Sequence, residues 1–220
     1  MRRVLRDNGL SITMFGLFLV FLVAQSIAGY KANNSDNEEH RQPRESYVQY
    51  LTSGGFVEAT FENWESEFLQ MGAYVVLTAL LIQKGSPESK NPDGDDVDQD
   101  PRQQRDDPDA PGPVKRGGLV LTIYEHSLSL ALLALFLLSL VLHALGGHAE
   151  FNQQQLEHGA APVSLWGFVT SSEFWFQSMQ NWQSEFLAVA ALAVLGIFLR
   201  QRGSPESKPV AAPHAQTGTS

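Results

Sequence analysis

The chain has 220 residues, a net charge of −9 and no cysteine. The missing thiols exclude disulfides, zinc–thiolate sites and thiol nucleophiles. The acid sits mainly in one polar linker and one set of loops, and no basic patch interleaves with aromatics, which argues against nucleic-acid binding. Mean hydropathy is −0.14, but it averages long apolar runs with a very polar linker.

Met1 to Asp7 carries Arg2, Arg3 and Arg6, and Gly9 to Gly29 has no charged residue. A run of that length exceeds the roughly 18 apolar residues that mark a membrane-spanning helix. Arginines ahead of an apolar run, with Ala24-Gln25-Ser26 after it, also fit a cleaved leader. An internal repeat favours a retained helix. Displaced by 118 residues, Asp7–Tyr30 aligns with Glu125–His148 with 8 of 24 positions identical, and that second copy is internal.

Lys31 to Glu62 reads as a polar loop and an aromatic segment. It pairs with Ala149 to Gln180 through Asn34/Asn152, Glu39/Glu157, His40/His158 and Phe56/Phe174. All four tryptophans, Trp64, Trp166, Trp175 and Trp182, lie in or just after these segments. They are expected as anchors at the membrane–water boundary, where ring and N–H are both accommodated. Ser46–Ser53 and Ser164–Ser171 read as short interfacial helices or turns.

The repeat is strongest from Asn63 to Lys90 and Asn181 to Lys208, where 17 of 28 positions are identical without a gap. Each copy runs from Asn-Trp through an apolar stretch to Gly-Ser-Pro-Glu-Ser-Lys. Glycine suits the position after a helix C-terminus and proline stops the helix. The alternative reading of that hexapeptide is a docking epitope for a partner. Asn91 to Pro113 holds eight aspartates and no hydrophobic periodicity, and is expected to be a disordered linker. It lacks the glycine and glutamate that a calcium loop needs at its sixth and twelfth positions. The tail from Pro209 is expected to be flexible.

With four spans, one side of the membrane holds twelve Lys and Arg residues and the other only Lys31, Arg41 and Arg44. The positive-inside rule then places both termini in the cytosol. The second and fourth spans look short. The uncharged run Phe186–Leu199 has 14 residues, about 21 Å of helix against a hydrocarbon core of about 30 Å. Extending them N-terminally draws Glu67 and Glu185 to the edge of the hydrocarbon, where an acid is a functional candidate by default. Thr60, Asn63, Glu67 and Gln70 share a helical stripe, as do Ser178, Asn181 and Glu185. The candidate polar site is therefore Asn63, Glu67, Gln70, Asn181 and Glu185. The competing reading is capping and helix packing by the same groups. A metal site drawn from His143, His148 and Glu150 lacks a recognisable ligand spacing, so no metal and no cofactor is expected. Hydrolase, nucleotide-loop and dinucleotide signatures are missing, and an enzyme is the less favoured reading.

Leu-Arg-Asp-Asn-Gly-Leu-Ser at 5–11, the two Asn-Trp-x-Ser-Glu-Phe-Leu segments and the two Gly-Ser-Pro-Glu-Ser-Lys ends resemble a family of uncharacterised bacterial integral membrane proteins. The resemblance covers the chain apart from the acidic linker. It implies a four-helix inner-membrane protein and transfers no activity and no catalytic residues.

The expectation is an all-α integral membrane protein of four transmembrane helices, at about 10–30, 62–83, 120–146 and 178–200, built as two tandem two-helix repeats. Its parts are a first membrane repeat (1–84), an acidic linker (85–118), a second repeat (119–203) and a tail (204–220). Function is read as a structural or interaction protein of the bacterial envelope, or as a small ion, proton or solute transporter using the duplicated Asn/Glu pair. Expected partners are the lipid bilayer and a second copy; no protein partner is identified, and no nucleic acid.

Overall fold

The structure is a computed structural model. It describes residues 2–218, without the side chains of Arg2, Arg3 and Leu5. The domain limits at Met1 and Ser220, and two of the arginines weighed for orientation, thus lie outside the described groups.

Among the described residues the regular structure is helical. A short α1 (Arg2–Asp7) leads into α2 (Gly9–Glu39), followed by α3 (Tyr47–Leu51) and α4 (Gly54–Leu80). Two single 3-10 turns, at Asp96–Asp98 and Pro101–Gln104, interrupt the acidic segment. Then come α5 (Gly112–Arg116), α6 (Gly118–Glu125), α7 (Ser127–Glu157), α8 (Leu165–Val169) and α9 (Ser172–Phe198). Three of these, α2, α7 and α9, are long and apolar enough to cross a membrane. Helix α4 has the same length as α9 but carries Glu58, Glu62, Glu65 and Glu67.

The long helices outrun their apolar segments. Helix α2 continues to Glu39 and α7 to Glu157, the latter through Gln and Glu of good helix propensity, the former through Asn, Ser and Asp of poorer propensity. Three devices recur at positions 118 apart. The Asn34 amide donates to the Glu45 carbonyl (3.3 Å) and accepts from its N–H (2.8 Å). Asn152 does the same with Val163, at 3.0 and 2.8 Å. Each asparagine thus ties the returning chain to the helix it has just left. The helices end alike, with Arg41 (φ 58°) and Gly159 (φ 71°) in the left-handed region. The next N–H reaches back to Asn37 O (2.7 Å) or Gln155 O (2.8 Å), which satisfies otherwise orphaned carbonyls. The following short helices start on Ser46 and Ser164, whose hydroxyls accept from Gln49 N–H and Gly167 N–H.

The chain forms two compact units, residues 1–61 with 142–174, and 62–141 with 175–220. In the first, α4 and α7 meet backbone to backbone. A Cβ on Gly146 would lie 2.6 Å from Glu58 N and 3.0 Å from Gly54 O, and one on Gly54 would lie 2.8 Å from Gly146 O. Small residues at such a crossing are the usual means of close helix approach where lipid gives no hydrophobic drive. Phe168 and Phe174 are fully enclosed, and the His143 ring stacks on Phe174 at 4.9 Å.

Burial is inverted relative to a water-soluble fold. Among the described residues five hydrophobic side chains are buried, against fourteen polar or charged ones. Leu10, Phe15, Phe21, Leu128 and Leu187 all stand outward, at 60% exposure or more. Apolar surface on this scale needs a cover, and a bilayer supplies one around helices that satisfy their own backbone.

Candidate functional site

The unit made by residues 62–141 and 175–220 holds the densest polar interior. On α4, Glu65 is fully buried, with Ser66 and Gln70 on the same side. The neighbouring stretch of α9 supplies donors. Trp182 Nε1 donates to Glu65 Oε1 at 3.0 Å, and Asn181 Nδ2 donates to Glu62 Oε1 at 2.5 Å. Asn181 Nδ2 also reaches Gln177 O at 3.2 Å. The indole is held edge-on by Phe136 and Trp175, each 6.3 Å away. Two acids on one helix are thus each met by a side-chain N–H from the other. Burying a carboxylate is expensive unless it is paired or hydrogen-bonded, and the amide and the indole supply such bonds.

The expected site residues are distributed unevenly. Gln70 is buried and Asn181 is half-buried in the acid contact. Asn63 and Glu67 are exposed and Glu185 is half-buried; Glu67 and Glu185 lie within electrostatic range of one another. Among the tryptophans, Trp166 is 75% exposed, whereas Trp182 turns inward to Glu65. The inward face of α4 runs through Glu62, Glu65, Ser66 and Gln70, about one residue step round the helix from the stripe through Asn63 and Glu67. A signal for it was present, because Glu58, Glu62 and Glu65 repeat at steps of four and three, the spacing of a single face.

The histidines are engaged locally. His148 Nε2 meets Val163 O at 2.9 Å and the Asn152 amide at 2.8 Å. His40 and His158 bond back to the carbonyls of Asp36 and Gln154. Among the described residues no three His, Asp or Glu side chains gather as a metal site requires.

The two Gly-Ser-Pro-Glu-Ser-Lys segments form the same turn. Gly85 and Gly203 have φ of 87° and 85°. Ser86 and Ser204 accept from the N–H of Glu88 and Glu206, each at 3.2 Å. Their surroundings differ. The first turn is enclosed by chain that follows the second: Gly85 N–H donates to Thr217 Oγ1 (2.8 Å) and Gly218 N–H to Ser86 O (3.0 Å). Lys208, 1% exposed, points its ammonium at the carbonyls of Gly85 (2.5 Å), His214 (2.9 Å) and Gln216 (3.0 Å). Nothing lies within 4 Å of a Cβ built on Gly203.

An all-helical chain that turns its apolar side chains outward and buries polar ones, with three helices fit to cross a bilayer, is compatible with a membrane protein. It belongs to the family described as Domain of unknown function (DUF6766), which it matches over residues 1–219. No curated protein and no solved structure matches it.

Proposed function

We propose that the chain is a four-span protein of the bacterial inner membrane, with both termini cytosolic, and that it binds and passes protons at Glu62 and Glu65. In this reading α4 is the fourth span, and the chain is two tandem two-helix repeats joined by the acidic linker. The 118-residue repeat supports the pairing of α2 with α7 and of α4 with α9. Its conserved local devices, the asparagine clasps and the matching turns, support it further.

The observation that carries the functional reading is the fully buried Glu65 carboxyl accepting from Trp182 Nε1. Acids inside a membrane protein are rare, costly and concentrated on ion and proton pathways. The kind of partner group narrows the choice. Indole and amide N–H groups are donors with no lone pair to offer a metal ion. They orient carboxyls that can take and release a proton, and they fill with N–H donors the directions from which further oxygens would complete a cation cage. Four helices enclose little room for a solute, and a second copy of the chain would complete any longer path. If Asn181 and Trp182 serve only to hold two helices together, the protein is the structural or interaction component of the envelope that is the first reading of the sequence.

The deciding experiment is proton flux into proteoliposomes that enclose a pH-sensitive dye. Wild-type protein should relax an imposed pH gradient at least tenfold faster than Glu62→Gln and Glu65→Gln. Flux no greater than in protein-free vesicles overturns the proposal.

A further inference from the structure

The polar interior contains a group that the acid–donor pairs leave unused. Ser178 is 1% exposed and its Oγ has no hydrogen-bond partner. It precedes Asn181 by three residues and Trp182 by four, so it shares their face of α9, one turn from the donors that hold Glu62 and Glu65. The position 118 residues earlier is Thr60, in the other unit, and it has the same character. It is 5% exposed and its Oγ1 is likewise without a partner. An orphaned buried hydroxyl bears its full desolvation penalty, which makes it an exceptional feature requiring a cause. That cost occurring at both equivalent positions, with a serine in one and a threonine in the other, points to a selected hydroxyl.

We propose that Ser178 Oγ is a water-binding site that links the Glu62 carboxyl to the rest of the helix interior. The inference rests on the proton-passing reading above and supplies the element that reading lacks, a carrier between carboxyl and solvent. A buried water needs two to four polar partners. The Ser178 hydroxyl provides a donor and two lone pairs, and the Glu62 carboxylate provides acceptor oxygens. In the transfer, the Glu62 O–H bond breaks as an O–H bond forms on the water. The hydronium so made gives up a different proton to the Ser178 oxygen, which releases its own hydroxyl proton onward. Water, serine and an ionised carboxylate are left, and one proton has moved.

The test uses the full chain in proteoliposomes. Ser178→Ala keeps the size of the side chain and removes the hydroxyl. It should lower proton flux at least tenfold while the protein stays folded, with thermal stability lowered at most slightly by loss of the water contact. Ser178→Thr installs the residue found at position 60 and should restore flux to within about twofold of wild type. If Ser178→Ala conducts like wild type while Glu62→Gln does not, the water site is wrong and the proton reading stands. If neither substitution changes a robust flux, both are wrong. Loss of flux in Ser178→Ala with matching loss in Ser178→Thr also overturns the site, since packing rather than the hydroxyl would then be at fault.

Discussion

Replacing Trp182 by phenylalanine removes the indole N–H together with part of the ring volume, so the single substitution mixes a lost hydrogen bond with a packing defect. The phenyl ring retains edge-on packing against Phe136 and Trp175, which flank the indole at 6.3 Å. What is lost with the N–H is the 3.0 Å bond to Glu65 Oε1. Glu65 is fully buried, so water cannot replace the donor without rearrangement. A hydrogen bond to a charged group contributes about 1.5–3 kcal/mol, whereas polar contacts between membrane helices average about 0.6 and reach about 1.7 kcal/mol. Full burial places this bond at the upper end of the membrane range, about 1.5 kcal/mol. A double-mutant cycle isolates it. Trp182→Phe, Glu65→Met and the double variant are unfolded in mixed micelles of rising denaturing-detergent content. A coupling energy of about 1–2 kcal/mol is expected. If Trp182→Phe costs the same with and without the carboxyl, the contact does not stabilise the interior and the reasoning about Glu65 fails.

Other outcomes follow from the same geometry. Gly146→Ala places a methyl 2.6 Å from Glu58 N; backbone cannot yield as a side chain does, so a loss of about 1–3 kcal/mol is expected in thermal unfolding. Lys208→Met leaves the carbonyls of Gly85, His214 and Gln216 without their shared donor. Hydrogen exchange should then quicken at Gly218 and Gly85, whose N–H groups hold the tail to the first turn. Burial lifts the Glu88 carboxyl above its ordinary value of 4.5, the Glu206 carboxylate adds to that rise, and a hydrogen bond from Tyr74 opposes it. The folded turn therefore holds this proton more tightly than the unfolded chain. Its contribution is complete below about 4.5 and is lost as pH climbs through the raised value. Glu88→Gln should flatten the pH dependence of tail protection in that window; an unchanged profile would exclude Glu88 as its source.

The helices were legible in the sequence because their signals are local. The uncharged run from Gly9, the proline after each Gly-Ser and the serines ahead of the short helices each act within a turn or two. The helix ends were less so. Residues 31–39 read as loop because they are polar, yet helix formation there depends on Asn34 reaching Glu45, a contact eleven residues away. Which side chains of α4 lie in the interior was less legible. The stripe through Thr60, Asn63, Glu67 and Gln70 includes residues that the repeat holds identical, Asn63/Asn181 and Glu67/Glu185, yet Asn63 and Glu67 are exposed while Thr60 and Gln70 are buried. The interior pairs unlike ones instead: Glu62 and Glu65 correspond to Gln180 and Gln183 in the second copy, so symmetry hid them. The enclosure of the first Gly-Ser-Pro-Glu-Ser-Lys turn was illegible for a related reason. Its partners, Lys208 to Gly218, lie more than a hundred residues away, and an Ala/Pro-rich composition carries no sign of carbonyls arranged around an ammonium.

The proposed proton path depends most on a buried carboxyl, Glu65, exchanging its proton. Infrared difference spectroscopy of the protein in lipid, titrated with pH and compared with Glu65→Gln, reads that event directly. A carboxyl band that appears on acidification in wild type and is missing from the Glu65→Gln spectrum is the expected result. Spectra that titrate identically in the two proteins would contradict the claim that Glu65 takes up a proton.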